Sequence, residues 1–140
     1  MNISNAAATG GRLALALIFI LSGAGKLAAL EATRGYIQSV GLPAADVALW
    51  GAIAMELLGG LALAVGFQTR PAAVLLAGFS ILTAILFHAR FADQNQMIHF
   101  MKNVAITGGL LQVAVLGATA FSLDAVIKRG RSRLAQSALT

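Results

Sequence analysis

VALWGAIAMELLGGLALAVGFQTRPAAVLLAGFSILTAILFH, residues Val47 to His88, holds two apolar runs parted by a few polar residues. Val47 to Phe67 and Pro71 to His88 are each close to the length of about 20 residues that crosses a hydrocarbon core about 30 Å thick. In lipid every backbone N–H and C=O must be satisfied within the segment, and no barrel-type alternation is present, so both runs are expected to be helices. The turn from Phe67 to Pro71 is too short for anything but antiparallel neighbours. Pro71, like Pro43 upstream, sits where a helix starts and its missing N–H costs nothing. Asp46 and Thr69 are the expected capping groups nearby.

Working outward, Arg12 to Leu30 and Val104 to Leu123 have the same character. The predicted fold is all-α, a polytopic membrane four-helix bundle forming one transmembrane domain over residues 1–140, with helices at 12–30, 47–67, 71–88 and 104–123 and a basic tail at 124–140. The links Glu31 to Asp46 and Ala89 to Asn103 are longer and polar. In the first, Tyr36, Ile37 and Val40 give one apolar side to a segment carrying Arg34 and Gln38, which predicts a helical turn at the interface, with Trp50 as a belt residue at that level.

Composition agrees. Of the 140 residues 59% are hydrophobic and 11% charged, against about 45–50% and about 25% in soluble domains; the excess calls for a lipid bilayer as solvent. The net charge of +5 does not imply nucleic acid, because the basic residues form no continuous patch and Lys128, Arg129, Arg131 and Arg133 crowd one tail. The absence of cysteine excludes thiolate nucleophiles and Cys-held zinc or iron–sulfur centres. Arg12 to Gly25 has the outline of a signal peptide, but the apolar segment continues to Leu30 and is needed for an even number of spans, so a retained helix is expected. Arg12, Arg70 and the basic tail fall on one side of a four-span topology; Arg34, Arg90 and Lys102 fall on the other, with Glu31, Asp46 and Asp93. The first side has more positive residues, which predicts both termini in the cytoplasm.

Lys26 and Glu56 stand inside spans, where a charge costs at least about 2.5–3.5 kcal/mol and usually faces the bundle interior. By helical rise, Lys26 lies about 6 Å and Glu56 about 13 Å from the outer end of their helices, close enough to pair if Gly23, Gly25, Gly59 and Gly60 let the helices approach. The competing reading has Lys26 snorkelling outward and Glu56 protonated or hydrogen-bonded. His88, His99, Lys102 and Asn103 fall near the same level and make a polar cluster suited to a head group, a quinone carbonyl or a proton, or merely solvated at the interface. Two histidines and one acid lack the spacing of a metal site, and an axial haem pair is equally unsupported. Gly108 and Gly109 with Ala105 suggest close helix packing, and Phe79, Phe87 and Met101 suggest packing or lipid contact.

An ordered set of these residues resembles the DoxX family of small bacterial inner-membrane proteins: Gly23 and Lys26, Glu56 with Gly59 and Gly60, the turn GFQTRP from Gly66 through Arg70 to Pro71, His88, and KNVAITGG from Lys102 to Gly109. The resemblance runs from about Arg12 to Asp124. It implies a four-span bundle in the inner membrane and a link to membrane redox systems, such as a small subunit of a quinone-linked oxidoreductase or an oxidative-stress complex with protein partners. It places the family's polar positions on Lys26, Glu56, Arg70, His88, Lys102 and Asn103, with Gly66, Arg70 and Pro71 as a structural turn. The expected role is a non-catalytic membrane subunit or anchor, with no cofactor in the chain itself and quinone as the one it would touch. The alternatives are a quinone-binding oxidoreductase subunit with proton-relay residues, or a small transporter or channel, for which homo-oligomerisation would make up the small size.

Overall fold

The structure, a computed structural model, describes residues 3–137. Among these residues six helices follow one another: α1 (Ile3–Ala28), α2 (Leu30–Ser39), α3 (Ala45–Val65), α4 (Thr69–His88), α5 (Gln94–Leu116) and α6 (Leu123–Ser137). Helices α1, α3, α4 and α5 are long and apolar enough to cross a membrane. The chain is thus the expected all-helical bundle of four spans. α1 packs chiefly on α3 and α4 on α5; α3 against α4 joins the two pairs, and α1 touches α5 on the far side. Ala16, Phe19, Leu63, Ala73, Leu76, Ala77 and Leu110 form the core between them. Leu17, Leu21, Leu58, Leu61, Leu75 and Val115 face outward, the surface that lipid covers.

The span ends differ from expectation, for reasons hydropathy does not register. The last span starts at Gln94, not Val104, because the Asp93 side chain caps it by accepting from the N–H groups of Asn95 and Gln96. It ends at Leu116, before Gly117 at φ 76°, rather than at Leu123. The first span starts at Ile3 rather than Arg12, and the predicted tail from 124 onward is helix α6 through Ser137. The interfacial turn is α2, whose Ile37 packs with Ala45, Leu49 and Ile53 in a second apolar cluster.

Two further expectations are corrected. Asp46 and Thr69 do not cap from their own side chains: α3 and α4 start after Ala44 and Gln68, both left-handed, with no side-chain cap of their own. Asp46 accepts instead from Arg34 Nε at 2.6 Å. Arg12, expected as the first residue of its helix, lies inside α1 and is buried, 2% exposed, and it donates to the carbonyls of Leu63, Ala64 and Phe121. Those first two belong to the last turn of α3, whose carbonyls have no partner within the helix, so Arg12 closes α3 from a neighbouring helix.

The start of α4 is capped from a distance too. The Asp124 carboxylate accepts from the N–H groups of Gln68 (2.8 Å) and Thr69 (2.9 Å) and from the Thr69 hydroxyl (2.8 Å). Burial opposes the Asp124 charge, but the Thr69 and Gln68 hydrogen bonds and the nearby Arg12 outweigh it and hold the carboxyl below the usual carboxylate range. A group with a depressed folded pKa stabilises fully above its unfolded value, about 4, and loses that stabilisation as pH falls through the lower folded value. The melting temperature is therefore expected to fall below about pH 4 more steeply in the wild type than in Asp124→Asn, measured by thermal melts between neutral and acid pH. Parallel curves would remove Asp124 from the acid response.

Candidate functional site

Near the ends of α1 and α3 that adjoin α2, the two helices approach closely. A side chain at Gly23 would meet Leu57 Cγ at 2.8 Å, and one at Gly60 would meet Ile20 Cγ1 at 3.0 Å. Gly59 faces Leu76 of α4 instead, and Gly25 faces open space, so two of the four expected glycines serve this contact. The approach brings Lys26 and Glu56 together: Lys26 Nζ donates to Glu56 Oε1 at 2.8 Å and Oε2 at 2.9 Å. Ser22, one turn before Lys26, donates to Glu56 Oε1 at 3.0 Å and accepts from Lys26 Nζ at 2.9 Å. Glu56 is 5% exposed, and its two oxygens take three donor contacts, the arrangement a buried carboxylate needs.

His88 is the last residue of α4. Its Nδ1 shares a hydrogen bond with Gln96 Oε1 at 2.8 Å, and its ring stacks on His99 with centroids 5.0 Å apart. His99, Lys102 and Asn103 lie within α5 rather than in a loop before it, which gives them fixed positions on a helix face. Among the described residues no three acids or imidazoles cluster as metal ligands.

These groups surround a cavity with two lobes. The larger, about 440 Å³, is lined by Tyr36 and Ile37 of α2, Met55 of α3, and Phe79, Leu82 and Phe87 of α4, with Lys26, Glu56, His88 and Asn103 at its polar side. The smaller, about 220 Å³, is bounded by Ser80, His88, His99, Lys102 and Asn103. Ser22, Glu56, Phe79, Thr83, His88 and Asn103 line both. Of the five polar residues singled out from the sequence, Glu56, His88 and Asn103 thus border both lobes of the cavity, Lys26 only the larger and Lys102 only the smaller. Phe79 and Phe87, expected as packing or lipid contacts, are walls of it. α2 covers one side, where Tyr36 stacks on Phe87 at 5.6 Å.

Ser80 is the residue sequence reasoning missed. It is 2% exposed, borders the smaller lobe, and its hydroxyl has no hydrogen-bond partner. Its signal was available: Ala73, Leu76, Ala77 and Ala84 mark the buried face of α4, and Ser80 is a polar residue in that row. Ser22 was equally legible, one turn from Lys26. The turn residues lie at the other end of the bundle. Gly66, at φ 69°, ends α3, Pro71 is in the first turn of α4, and Arg70 donates to the Val115 carbonyl at 3.3 Å. They frame the fold and take no part in the cavity.

The family described as DoxX matches residues 7–89. Two relatives come from Escherichia coli (strain K12). Inner membrane protein YqjF is 39% identical over 118 residues, which cover 84% of this chain and 89% of the relative. Inner membrane protein YphA is 37% identical over 118 residues, covering 81% of this chain and 84% of the relative. No solved structure matches the chain.

Proposed function

The chain belongs to the DoxX family, and from that premise we propose that this multi-pass inner-membrane protein is the non-catalytic, quinone-binding subunit of a redox complex. The observation that carries the reading is the cavity: a polar group of Lys26, Glu56, His88 and Asn103 beside walls of Tyr36, Phe79, Leu82 and Phe87. A membrane-dissolved ring with carbonyl oxygens needs that combination, apolar and aromatic walls with a few convergent donors. His88 and the Asn103 amide would donate to the oxygens, the Lys26 ammonium, engaged by Glu56 and Ser22, would add its charge, and the unpartnered Ser80 hydroxyl would gain a partner in the smaller lobe. A bound quinone supplies carbonyl oxygens that accept electrons and protons. The chain's residues orient the ring and keep water from it, and with no cysteine in the sequence the electron carrier is assigned to a partner protein. The stacked His88 and His99 favour a second reading, a quinone-reducing subunit in which Glu56 and His88 move protons. Arg70 and the four cations of α6 against Arg34, Arg90 and Lys102 support an orientation with both termini cytoplasmic.

Titration of a short-chain ubiquinone into the protein in lipid nanodiscs, followed by quenching of its single tryptophan, Trp50, tests the site. Saturable quenching is expected in the wild type. Affinity should fall roughly tenfold or more in Lys26→Met, which removes the positive charge at the polar side and is compared only as folded protein, and a few-fold in Ser80→Ala, which has no internal bond to lose and so keeps the fold intact. Unsaturable quenching, or equal affinity in all three proteins, would reject the quinone site.

A further inference from the structure

α6 is built on a different plan from the four spans. Val126, Ile127 and Gly130 follow Leu123 at three, four and seven residues, and Leu134 continues the row, the spacing of a single apolar stripe on a helix. At 3.6 residues per turn, Arg131 and Arg133 stand about 80° to either side of Leu123, flanking that stripe. The stripe is not used for internal packing: Leu123 is 43%, Val126 59% and Ile127 38% exposed. Asp124 is the acid of this helix, and its carboxylate is turned to the start of α4. The cations of α6 therefore outnumber its acids, and that one acid is already engaged.

The start of α6 is held at one end of the bundle. Asp124 N–H donates to the Gly66 carbonyl at 2.9 Å, Ala125 N–H to the Ser122 hydroxyl at 3.2 Å, and Arg129 Nη2 to the Ala120 carbonyl at 3.0 Å. Gly66 and Thr69 are where α3 and α4 meet their turn, the level at which those spans leave the hydrocarbon. A helix that starts there with an apolar stripe flanked by arginines has its stripe at the acyl boundary and its guanidinium groups at the phosphates. The positive excess selects anionic headgroups, each cation contributing about a fivefold preference near such a surface.

We propose that α6 is an interfacial helix that binds the anionic phospholipids of the leaflet beside it, with Leu123, Val126 and Ile127 inserted and Arg131 and Arg133 on the headgroup phosphates. This is independent of the quinone reading and concerns the opposite end of the bundle.

The cysteine-free sequence makes the test direct. The full-length protein carrying Ile127→Cys or Ser132→Cys, each labelled with a polarity-sensitive fluorophore, is placed in phosphatidylcholine nanodiscs with and without phosphatidylglycerol. The label at 127 should shift to the blue and be quenched by shallow lipid-borne nitroxides when phosphatidylglycerol is present; the label at 132, on the other side, should stay in water. Adding Arg131→Gln and Arg133→Gln should lower the immersion equilibrium roughly 30-fold, as should high salt in the same direction. A label at 127 that stays in water in both discs overturns the proposal, and so does immersion indifferent to phosphatidylglycerol and to the two arginines. Shielding that tracks protein concentration instead of lipid composition would assign the stripe to a second copy of the chain, and overturn it equally.

Discussion

Lys26→Met is expected to lower the stability of the bundle by about 3 kcal/mol, and combining it with Glu56→Leu to restore most of that loss. The asymmetry follows from burial. Glu56 is all but enclosed, while the Lys26 side chain keeps a quarter of its surface exposed. Removing the ammonium strips both carboxylate oxygens of their charged donor at 2.8 and 2.9 Å and leaves Ser22 alone to satisfy them. An uncompensated buried charge typically costs about 3–5 kcal/mol. The partial exposure of Lys26 puts this pair at the low end, because the pair in the native state is less desolvated. Removing both groups deletes the charge along with its partner, and an apolar pair of similar volume is often close to neutral. Unfolding in mixed micelles of a mild detergent and sodium dodecyl sulfate, followed through Trp50 fluorescence, gives the four corners of the cycle. A loss below about 1 kcal/mol in Lys26→Met, the range of exposed ion pairs, would mean that the Ser22 hydroxyl or water suffices for the carboxylate and that the pair is not what holds α1 to α3.

The possibility of that pair was readable from the sequence because depth in a span is a one-dimensional quantity. Counting residues from a helix end places Lys26 and Glu56 at compatible levels, but a snorkelling Lys26 beside a protonated or hydrogen-bonded Glu56 fits the same depths, and only the close approach of α1 and α3 decides for the pair. The same arithmetic placed His88, His99, Lys102 and Asn103 at one level. It could not show that Tyr36 and Phe87 wall the space between them, since that depends on how α2 folds onto α3 through Ile37 and Leu49, a contact between segments with no shared periodicity. Span ends were the weakest reading. The sequence QNQMIHFMKN opening α5 is polar enough to look like a loop, yet its helical state is set by the Asp93 cap. Arg12 shows a complementary limit: the sequence offers it only as a positive charge at the start of an apolar run, but its donors go to carbonyls on α3 and beyond α5, partners some fifty and a hundred residues away in the chain. Asp124 capping α4 from beyond α5 is invisible for the same reason.

Those long-range partners converge on Gly66, where the other large effect is expected. Gly66 has φ 69°, and a side chain there would be driven into Ser122 Cβ, with Ser122 Cα and Arg12 Nη1 each 3.0 Å away. A non-glycine residue in this region of the backbone costs roughly 1–2 kcal/mol by itself. At Gly66 the added methyl must also push apart the segment that carries Ser122 and the guanidinium that closes α3. Displacing Arg12 endangers three hydrogen bonds, a buried one to the Leu63 carbonyl and partly buried ones to those of Ala64 and Phe121, each worth about 1 kcal/mol or more when a charged donor is involved. Gly66→Ala should therefore cost about 3 kcal/mol or more. Gly41 supplies the control: it has φ 80° and open space where its side chain would be, so Gly41→Ala carries only the backbone part, about 1 kcal/mol. Equal losses in the two variants, in the same micelle titration, would show that the Arg12 and Ser122 contacts add nothing. The cavity lies about 15 Å up α3 from Gly66, counted from Glu56 at 1.5 Å per residue, so Gly66→Ala protein that remains folded should bind quinone as the wild type does. If it does not, the turn and the cavity are coupled through α3, and the separation drawn between a framing end and a binding end of this bundle fails.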